Sequence, residues 1–122
     1  MKRSLTIAIA AVIASMAATG AARADMNAGK AFFAGPGKCA NCHNINEKKK
    51  VGPGLANVTK RATEDWLKKW LKDPPATWNA EDEYTKQLKV IMKKEGKPKP
   101  SHATKPLSDQ EIQDLLDYMK TL

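Results

Sequence analysis

The sequence predicts a small all-α domain, and three patterns support this fold class. Apolar residues recur three or four positions apart in several stretches, which places them on one face of a helix. Glycine and proline clusters separate these stretches, and residues suited to capping helices stand at their starts. No segment alternates polar and apolar residues as a strand would, and the sequence contains no internal repeat. The length of 122 residues suits one domain.

The first and last helices have clear boundary signals. The first is predicted over residues 27–34, because a Gly-Pro-Gly run at 35–37 ends it. The last begins at Ser108, where Ser-x-x-Glu forms a capping box with Glu111. A loop at 97–106 precedes it, since three prolines in ten residues exclude a regular helix. The predicted packing residues of these two helices are Gly29, Phe32, Phe33, Ile112, Leu115, Leu116 and Met119.

Two more helices are predicted in the middle of the chain. Thr63 caps the first, which continues through Lys72 until an Asp-Pro-Pro sequence at 73–75 ends it. Asn79 caps the second, and Gly96 closes it. The inner face of the first consists of Trp66, Leu67, Trp70 and Leu71, and that of the second of Tyr84, Leu88, Ile91 and Met92.

The N-terminal segment has the three parts of a secretory signal peptide. Two basic residues come first, a run of small and apolar residues follows over 5–18, and Ala-Arg-Ala at 22–24 is an A-x-A cleavage site. The apolar run is too short for a membrane span, and no second long run follows. We therefore predict that residues 1–24 are removed and that residues 25–122 form an exported, periplasmic domain. Retention of the segment as an anchor is the alternative.

The charge of the chain is positive and clustered. The formal charge is +8, and it falls to +5 when the three basic residues of the leader are removed. Lysines gather at 48–50 and 93–105, and acidic residues gather at 81–83 and 109–117. Such a cluster is often only a solvated face. In a functional interpretation, the cluster steers the protein, expected to be a monomer, toward a partner with an acidic docking patch. Such steering raises the association rate. Nucleic acid is not an expected partner of an exported chain.

Residues 39–43 carry the strongest chemical signal. They read Cys-Ala-Asn-Cys-His, and Cys-x-x-Cys-His is the attachment signature of c-type haem. Two thiols at this spacing can add to two vinyl groups on one side of a porphyrin, and the adjacent histidine can then reach its iron. We therefore predict one covalent haem c on Cys39 and Cys42, with His43 as the proximal iron ligand.

Three other interpretations compete for these residues. A thioredoxin-like thiol pair belongs near a βαβ pattern, which the sequence lacks. A disulfide across so short a loop would be strained. Zinc could be held by Cys39, Cys42, His43 and His102, which are the only cysteines and histidines of the chain. Adjacent Cys42 and His43 fit poorly as two ligands of one tetrahedral metal.

A turn-rich loop at 51–55, Val-Gly-Pro-Gly-Leu, follows the motif. Gly52 and Gly54 permit unusual backbone angles close to a ligand, and the Pro53 carbonyl is a candidate acceptor for the second imidazole N–H of His43. The residues predicted to line the haem are Leu55, Trp66 and Trp70. Because the haem would supply a large share of a small core, we predict that the apoprotein is poorly folded.

The order of these elements resembles a class I c-type cytochrome. The likeness covers residues 25–122 and rests on the Cys-x-x-Cys-His motif, the loop after it and the helices that follow. It implies a small fold of about four to five helices around one covalently bound haem, in which the first and last helices cross. Gly29 and Phe33 match that crossing in the first helix, and Leu115 and Tyr118 match it in the last.

The resemblance leaves the sixth iron ligand open. The family usually supplies a methionine from the loop before the last helix, but this loop contains none. His102 stands at the corresponding position, whereas Met92 lies ten residues earlier in a predicted helix. We therefore expect His102 to be the distal ligand, with Met92 or an open iron as the alternatives. The choice affects the reduction potential, because methionine in place of histidine raises it.

The resemblance implies one-electron transfer through an exposed haem edge and no chemistry on a substrate. The predicted function is therefore a periplasmic electron carrier with redox proteins as partners, and not an enzyme. One alternative is a dedicated electron-transfer subunit of a dehydrogenase or oxidase complex. The other is a haem enzyme or sensor with an open distal site.

Overall fold

The structure of the chain is a computed structural model that describes residues 24–102 and 104–122, so residues 1–23 of the predicted signal peptide lie outside it. The described residues contain six α-helices, a short 3₁₀ turn and no strand, which confirms the all-α class. The elements are α1 (Met26–Ala34), the 3₁₀ turn (Cys39–Asn41), α2 (Val58–Arg61), α3 (Glu64–Lys72), α4 (Pro74–Ala80), α5 (Glu83–Ile91) and α6 (Asp109–Met119).

Helices α1 and α6 cross in close contact, as predicted. Gly29 permits this approach, because a Cβ atom there would overlap the backbone of Asp114 in α6. Beside it, the rings of Phe33 and Tyr118 pack edge to face with their centres 5.6 Å apart. Leu115, also predicted for this crossing, is 2% exposed. The first and last helices of the described residues are therefore packed together, although they are far apart in sequence.

The capping signals at α3 and α6 form the predicted contacts. The hydroxyl of Thr63 accepts from the backbone N–H of Trp66 at 3.2 Å. The hydroxyl of Ser108 accepts from the backbone N–H of Glu111, whose carboxylate accepts from the Ser108 N–H at 2.7 Å. Each cap satisfies backbone donors that the first turn of a helix leaves unpaired. Both helix starts were therefore predictable from local sequence.

The prediction for the segment between α3 and α5 was wrong. The Asp-Pro-Pro sequence does end α3, but it also begins α4, which the sequence analysis missed. Asp73 caps α4 by accepting from the Ala76 N–H at 3.0 Å. Proline suits the first position of a helix, where no N–H donor is needed. Asn79 therefore lies inside α4, and the cap of α5 is Asp82.

The end of α5 also differs from the prediction. The helix stops at Ile91, with Met92 as its C-cap, and Lys93 then adopts a left-handed conformation with φ of 53°. Gly96, the predicted end, lies in the following loop. Ile91 was predicted on the inner face, yet it is 60% exposed. Helix periodicity identified the buried Leu88 correctly but could not locate the last turn.

One core lies between α1, α3 and α6, with contributions from α5 and the loops. Leu115 and Leu116 of α6, with Leu67 of α3, are among its most buried members. Half-buried apolar residues extend this core toward the cysteine motif. They are Phe32, Cys39, Ala40, Leu55, Trp70, Tyr84, Met92 and Leu122.

Candidate functional site

The 3₁₀ turn presents the two cysteines. Lys38 enters it with a left-handed φ of 52°, and the Cys42 and His43 N–H groups both donate to the carbonyl of Cys39, at 3.1 and 2.9 Å. Both thiols are free, with Cys39 half-buried and Cys42 exposed. Burial raises the pKa of the Cys39 thiol. A raised pKa is the opposite of what a reactive thiol pair requires.

His43 is fixed from the loop that follows the motif. Its Nδ1 lies 2.8 Å from the carbonyl oxygen of Pro53. Because a carbonyl can only accept, Nδ1 carries the proton and Nε2 keeps its lone pair for a metal. This contact is the one predicted for Pro53.

The glycines of this loop have a different role from the one predicted. Among the described residues, the glycine with positive φ is Gly96, so Gly52 and Gly54 do not adopt left-handed angles. A Cβ at Gly52 would overlap the His43 ring, and one at Gly54 would overlap the backbone at Asn46. Close approach is therefore the reason that only glycine fits both positions.

Lys50 binds the cysteine turn directly, a role that sequence reasoning missed. Its Nζ donates to the carbonyl of Ala40, between the two cysteines, at 2.9 Å. Nearby, the Gly52 N–H donates to the carbonyl of Cys42 at 2.8 Å. The loop thus contacts the motif at Ala40, Cys42 and His43. Nothing in a run of three lysines distinguishes this one from its neighbours.

His102 lies opposite His43, although the two are far apart in sequence. Their ring centres are 6.1 Å apart, with an interplanar angle of 53°. A metal such as zinc lies about 2.0–2.1 Å from an imidazole nitrogen, so two rings facing one metal have centres about 6 Å apart. The separation therefore leaves room for a metal between the two imidazoles.

The environment of His102 suits a ligand. Its Nδ1 is buried without a hydrogen-bond partner among residues 24–102 and 104–122. Burial lowers the pKa of His102 to about 4, and the neighbouring His43 imidazole adds a smaller effect. The imidazole is therefore neutral at pH 7, which is the form that binds metals.

Met92, the alternative ligand, has a different position. It is half-buried at the end of α5 and donates its N–H to the Leu88 carbonyl at 2.9 Å. With Pro53 and Arg61 it lines a cleft of about 320 Å³.

The predicted wall residues lie around this site. Trp70 stacks on Trp66, with ring centres 5.2 Å apart and planes within 11°, and its ring lies 5.1 Å from that of His102. Leu55 packs against the same core from the loop. A separate groove of about 830 Å³ between α3, α4 and α6 contains none of the predicted site residues.

The zinc alternative finds no support in the arrangement of ligands. Within the described part of the chain, no group of three or more His, Cys, Asp or Glu side chains could hold a metal ion. Two facing imidazoles, two free thiols on an adjacent turn and a tryptophan wall instead fit a flat, covalently held ring that carries a metal.

Comparison with known proteins identifies the family. A family model described as Cytochrome c matches residues 26–122, nearly the whole described chain. The chain therefore belongs to the cytochrome c family, whose members bind haem c covalently through Cys-x-x-Cys-His and use it in electron transfer. No curated protein and no solved structure matched the chain. Among the described helices, none is long and apolar enough to cross a membrane.

Proposed function

We propose that the chain is an exported, monohaem electron carrier that passes single electrons between redox proteins. In this proposal Cys39 and Cys42 hold the haem, His43 is the proximal ligand and His102 is the distal ligand. The observation that supports this assignment best is the 6.1 Å separation of the two imidazole rings. Within the described residues, the buried Nδ1 of His102 has no hydrogen-bond partner, so no bond at this atom competes with metal binding.

The residues around the site favour rapid electron exchange by limiting rearrangement. When bound, the haem supplies an iron that gains and loses one electron. The Pro53 carbonyl keeps the His43 ring in one orientation and one tautomer. Trp66, which is 8% exposed, and the stacked Trp70 keep water from the side of the site opposite His43. A ligand set that moves little between two oxidation states suits an electron carrier better than an enzyme that must open a coordination position.

An optical experiment tests the distal ligand. The oxidised native protein should lack the methionine–iron charge-transfer band in the red, and the reduced protein should bind carbon monoxide slowly. Substitution of Met92 by leucine should leave both properties unchanged, because in this proposal its sulfur does not reach the iron. A red band that disappears in Met92→Leu would assign the ligand to Met92. Immediate carbon monoxide binding by the native protein would indicate an open site.

The docking surface is proposed next to the cysteine turn. Lys48 and Lys49 are exposed, and two neighbouring apolar side chains, Ile45 and Val51, are 53% and 63% exposed. An apolar contact with a charged rim is typical of transient interfaces. Lys50 is less suited to docking, because its ammonium group binds the Ala40 carbonyl. The proposed partner therefore presents acidic residues to Lys48 and Lys49.

Partner kinetics test this surface. Lys49→Glu should slow reduction by an acidic redox partner about tenfold at low salt, and the difference should narrow as ionic strength rises. Lys86→Glu, which makes the same charge change on α5, is the matched control and should have a smaller effect. Equal slowing by both variants would mean that net charge, and not this surface, governs the encounter.

A further inference from the structure

His102 is held in an unusual way for a predicted metal ligand. Ligating histidines almost always donate their second ring N–H to a carboxylate, carbonyl or water. In the described part of the chain, Nδ1 of His102 has no such partner. Its ring neighbours are His43, at 6.1 Å between centres, and Trp70, at 5.1 Å. Packing, and not hydrogen bonding, therefore orients this imidazole.

Trp70 is itself fixed by a series of contacts that ends in the core. It stacks on Trp66, whose indole N–H donates to the hydroxyl of Thr85 at 3.0 Å. Thr85 is fully buried. Tyr84 packs edge to face on Trp66, with ring centres 4.6 Å apart. A ring clamped in this way has little freedom to turn, so it can serve as a rigid support for a neighbour.

We propose that Trp70 is the positioning residue for His102 and that its ring performs the orienting task usually given to a hydrogen bond. This inference rests on the proposed role of His102 as the distal ligand. His102 lies in the loop between α5 and α6, so no helix of its own holds it. The support comes from α3, through Trp70. Removal of the ring should let the imidazole turn away from the iron.

Carbon monoxide binding to the reduced holoprotein, together with the spin state of the oxidised form, tests the proposal. Trp70→Ala should bind carbon monoxide about tenfold faster than the native protein and gain a high-spin fraction, as expected for loss of a supporting group. Trp70→Phe should stay close to native, because it retains a ring. Leu67→Ala opens a cavity on the same helix, and it should lower stability without changing the binding rate.

Two outcomes would overturn the proposal, and they can be told apart. If the native protein shows the methionine band or binds carbon monoxide at once, the role of His102 fails and that of Trp70 fails with it. If the native protein is six-coordinate with two histidines but Trp70→Ala matches native, only the role of Trp70 fails. Trp70→Leu, which keeps an apolar side chain in place, should show the same direction of change if the alanine variant does not fold.

A second inference concerns the N-terminus of α1 and rests on a different contact. The backbone nitrogen of Asp25 lies 2.8 Å from Oδ1 of Asp114 in α6, which also accepts from the amide of Gln110 at 2.8 Å. The side chain of Asp25 caps α1 by accepting from Asn27 and Ala28. The predicted cleavage site lies immediately before this residue.

We propose that cleavage after Ala24 converts this contact into an ion pair that fastens α1 to α6. Hydrolysis of the Ala24–Asp25 peptide bond by water releases a carboxylate on the leader and an α-amine on Asp25. The amine is protonated near neutral pH, where α-amino groups have a pKa of about 7.7–8.0. A hydrogen bond between two charged groups is stronger than the neutral amide contact it replaces.

The experiment compares two holoproteins, one that begins at Asp25 and one that retains Ala24. Asp114→Asn should lower the Tm by about 4 °C more in the first protein than in the second. Asp117→Asn, on the same helix, is the control and should lower both equally. Equal losses from Asp114→Asn in the two proteins would overturn the proposal. So would a mass spectrum showing that the exported protein begins elsewhere.

Discussion

The two sides of the candidate haem site are built by different means. On the proximal side, His43 donates to the Pro53 carbonyl at 2.8 Å, and Gly52 packs against its ring. On the distal side, Nδ1 of His102 has no hydrogen-bond partner within the described ranges, and the ring of Trp70 lies beside it. One histidine is fixed by directional bonds and the other by the shape of its surroundings.

This difference shows which parts of the fold hold each histidine. The proximal contacts join residues ten or fewer positions apart, so a single loop holds the whole arrangement. The proposed support of His102 passes through Trp70 and Trp66 of α3 and ends at Thr85 of α5. Substitutions along this series of contacts should therefore disturb the distal side and spare the proximal one.

The greatest effect should come from removing His102, the proposed distal ligand. His102→Ala should make the oxidised protein high-spin and accelerate carbon monoxide binding by more than about 100-fold, the upper range for loss of a supporting group. Stopped-flow mixing measures the rate. The haem should stay attached, because Cys39 and Cys42 hold it covalently. An unchanged low-spin spectrum would remove His102 from the site.

The next effect tests the close packing on the proximal side. Gly52→Ala should destabilise the holoprotein by about 1–3 kcal/mol, because the new methyl group would overlap the His43 ring. Denaturant unfolding followed through the haem absorbance measures this loss. Val51→Ala changes an exposed neighbour and should stay within about 0.5 kcal/mol of native. Similar stability of the two variants would mean that His43 is not confined.

A loss of stability of similar size should follow from Thr85, where the contacts behind Trp70 end. Thr85→Val keeps the shape of the side chain but removes the acceptor of the Trp66 indole N–H. A buried donor without a partner costs about 1–3 kcal/mol, and the carbon monoxide rate should rise together with the loss of stability. Tyr84→Phe retains its ring contact with Trp66 and serves as the control. A loss of stability without any change in binding rate would uncouple the core from His102.

The smallest effect concerns Trp78 and the ion pair beside it. The ring centres of Trp78 and Trp70 lie 6.3 Å apart. The ammonium of Lys89 lies 4.8 Å from the centre of the Trp78 ring and also pairs with Glu81. The hydrogen bond from Lys89 lowers the pKa of Glu81. A carboxyl with a lowered pKa stabilises the folded state above its unfolded pKa, and this contribution is lost as the pH falls through the folded value.

The Tm gap between native protein and Glu81→Gln should therefore be present at neutral pH and should shrink on acidification below about 4, near the usual pKa of glutamate. Thermal unfolding across this pH range measures it. Glu95→Gln is the control for loss of a surface carboxylate. A gap that does not depend on pH would show that the Lys89 pair adds nothing to stability.

Much of the fold and of the proximal side could be predicted from sequence, because the signals are local. Helix caps, apolar periodicity and the Cys-x-x-Cys-His spacing each involve residues within one or two turns of each other. The errors arose where one pattern has two meanings. The proline pair after Asp73 ends one helix and begins another, and only the observed backbone distinguishes these outcomes. Likewise, the three lysines at 48–50 look alike until Lys50 is seen on the Ala40 carbonyl.

The family chemistry could be predicted from sequence: two thiols and a histidine stand at a spacing that suits haem attachment, on an all-α chain. The sequence also indicated which loop faces that histidine, because a polar contact over ten residues needs only a short turn. The resemblance singled out His102, but only the folded structure shows its ring 6.1 Å from that of His43 and 5.1 Å from that of Trp70. Those contacts join distant segments through packing, which depends on how whole helices cross and leaves no fixed spacing in the chain.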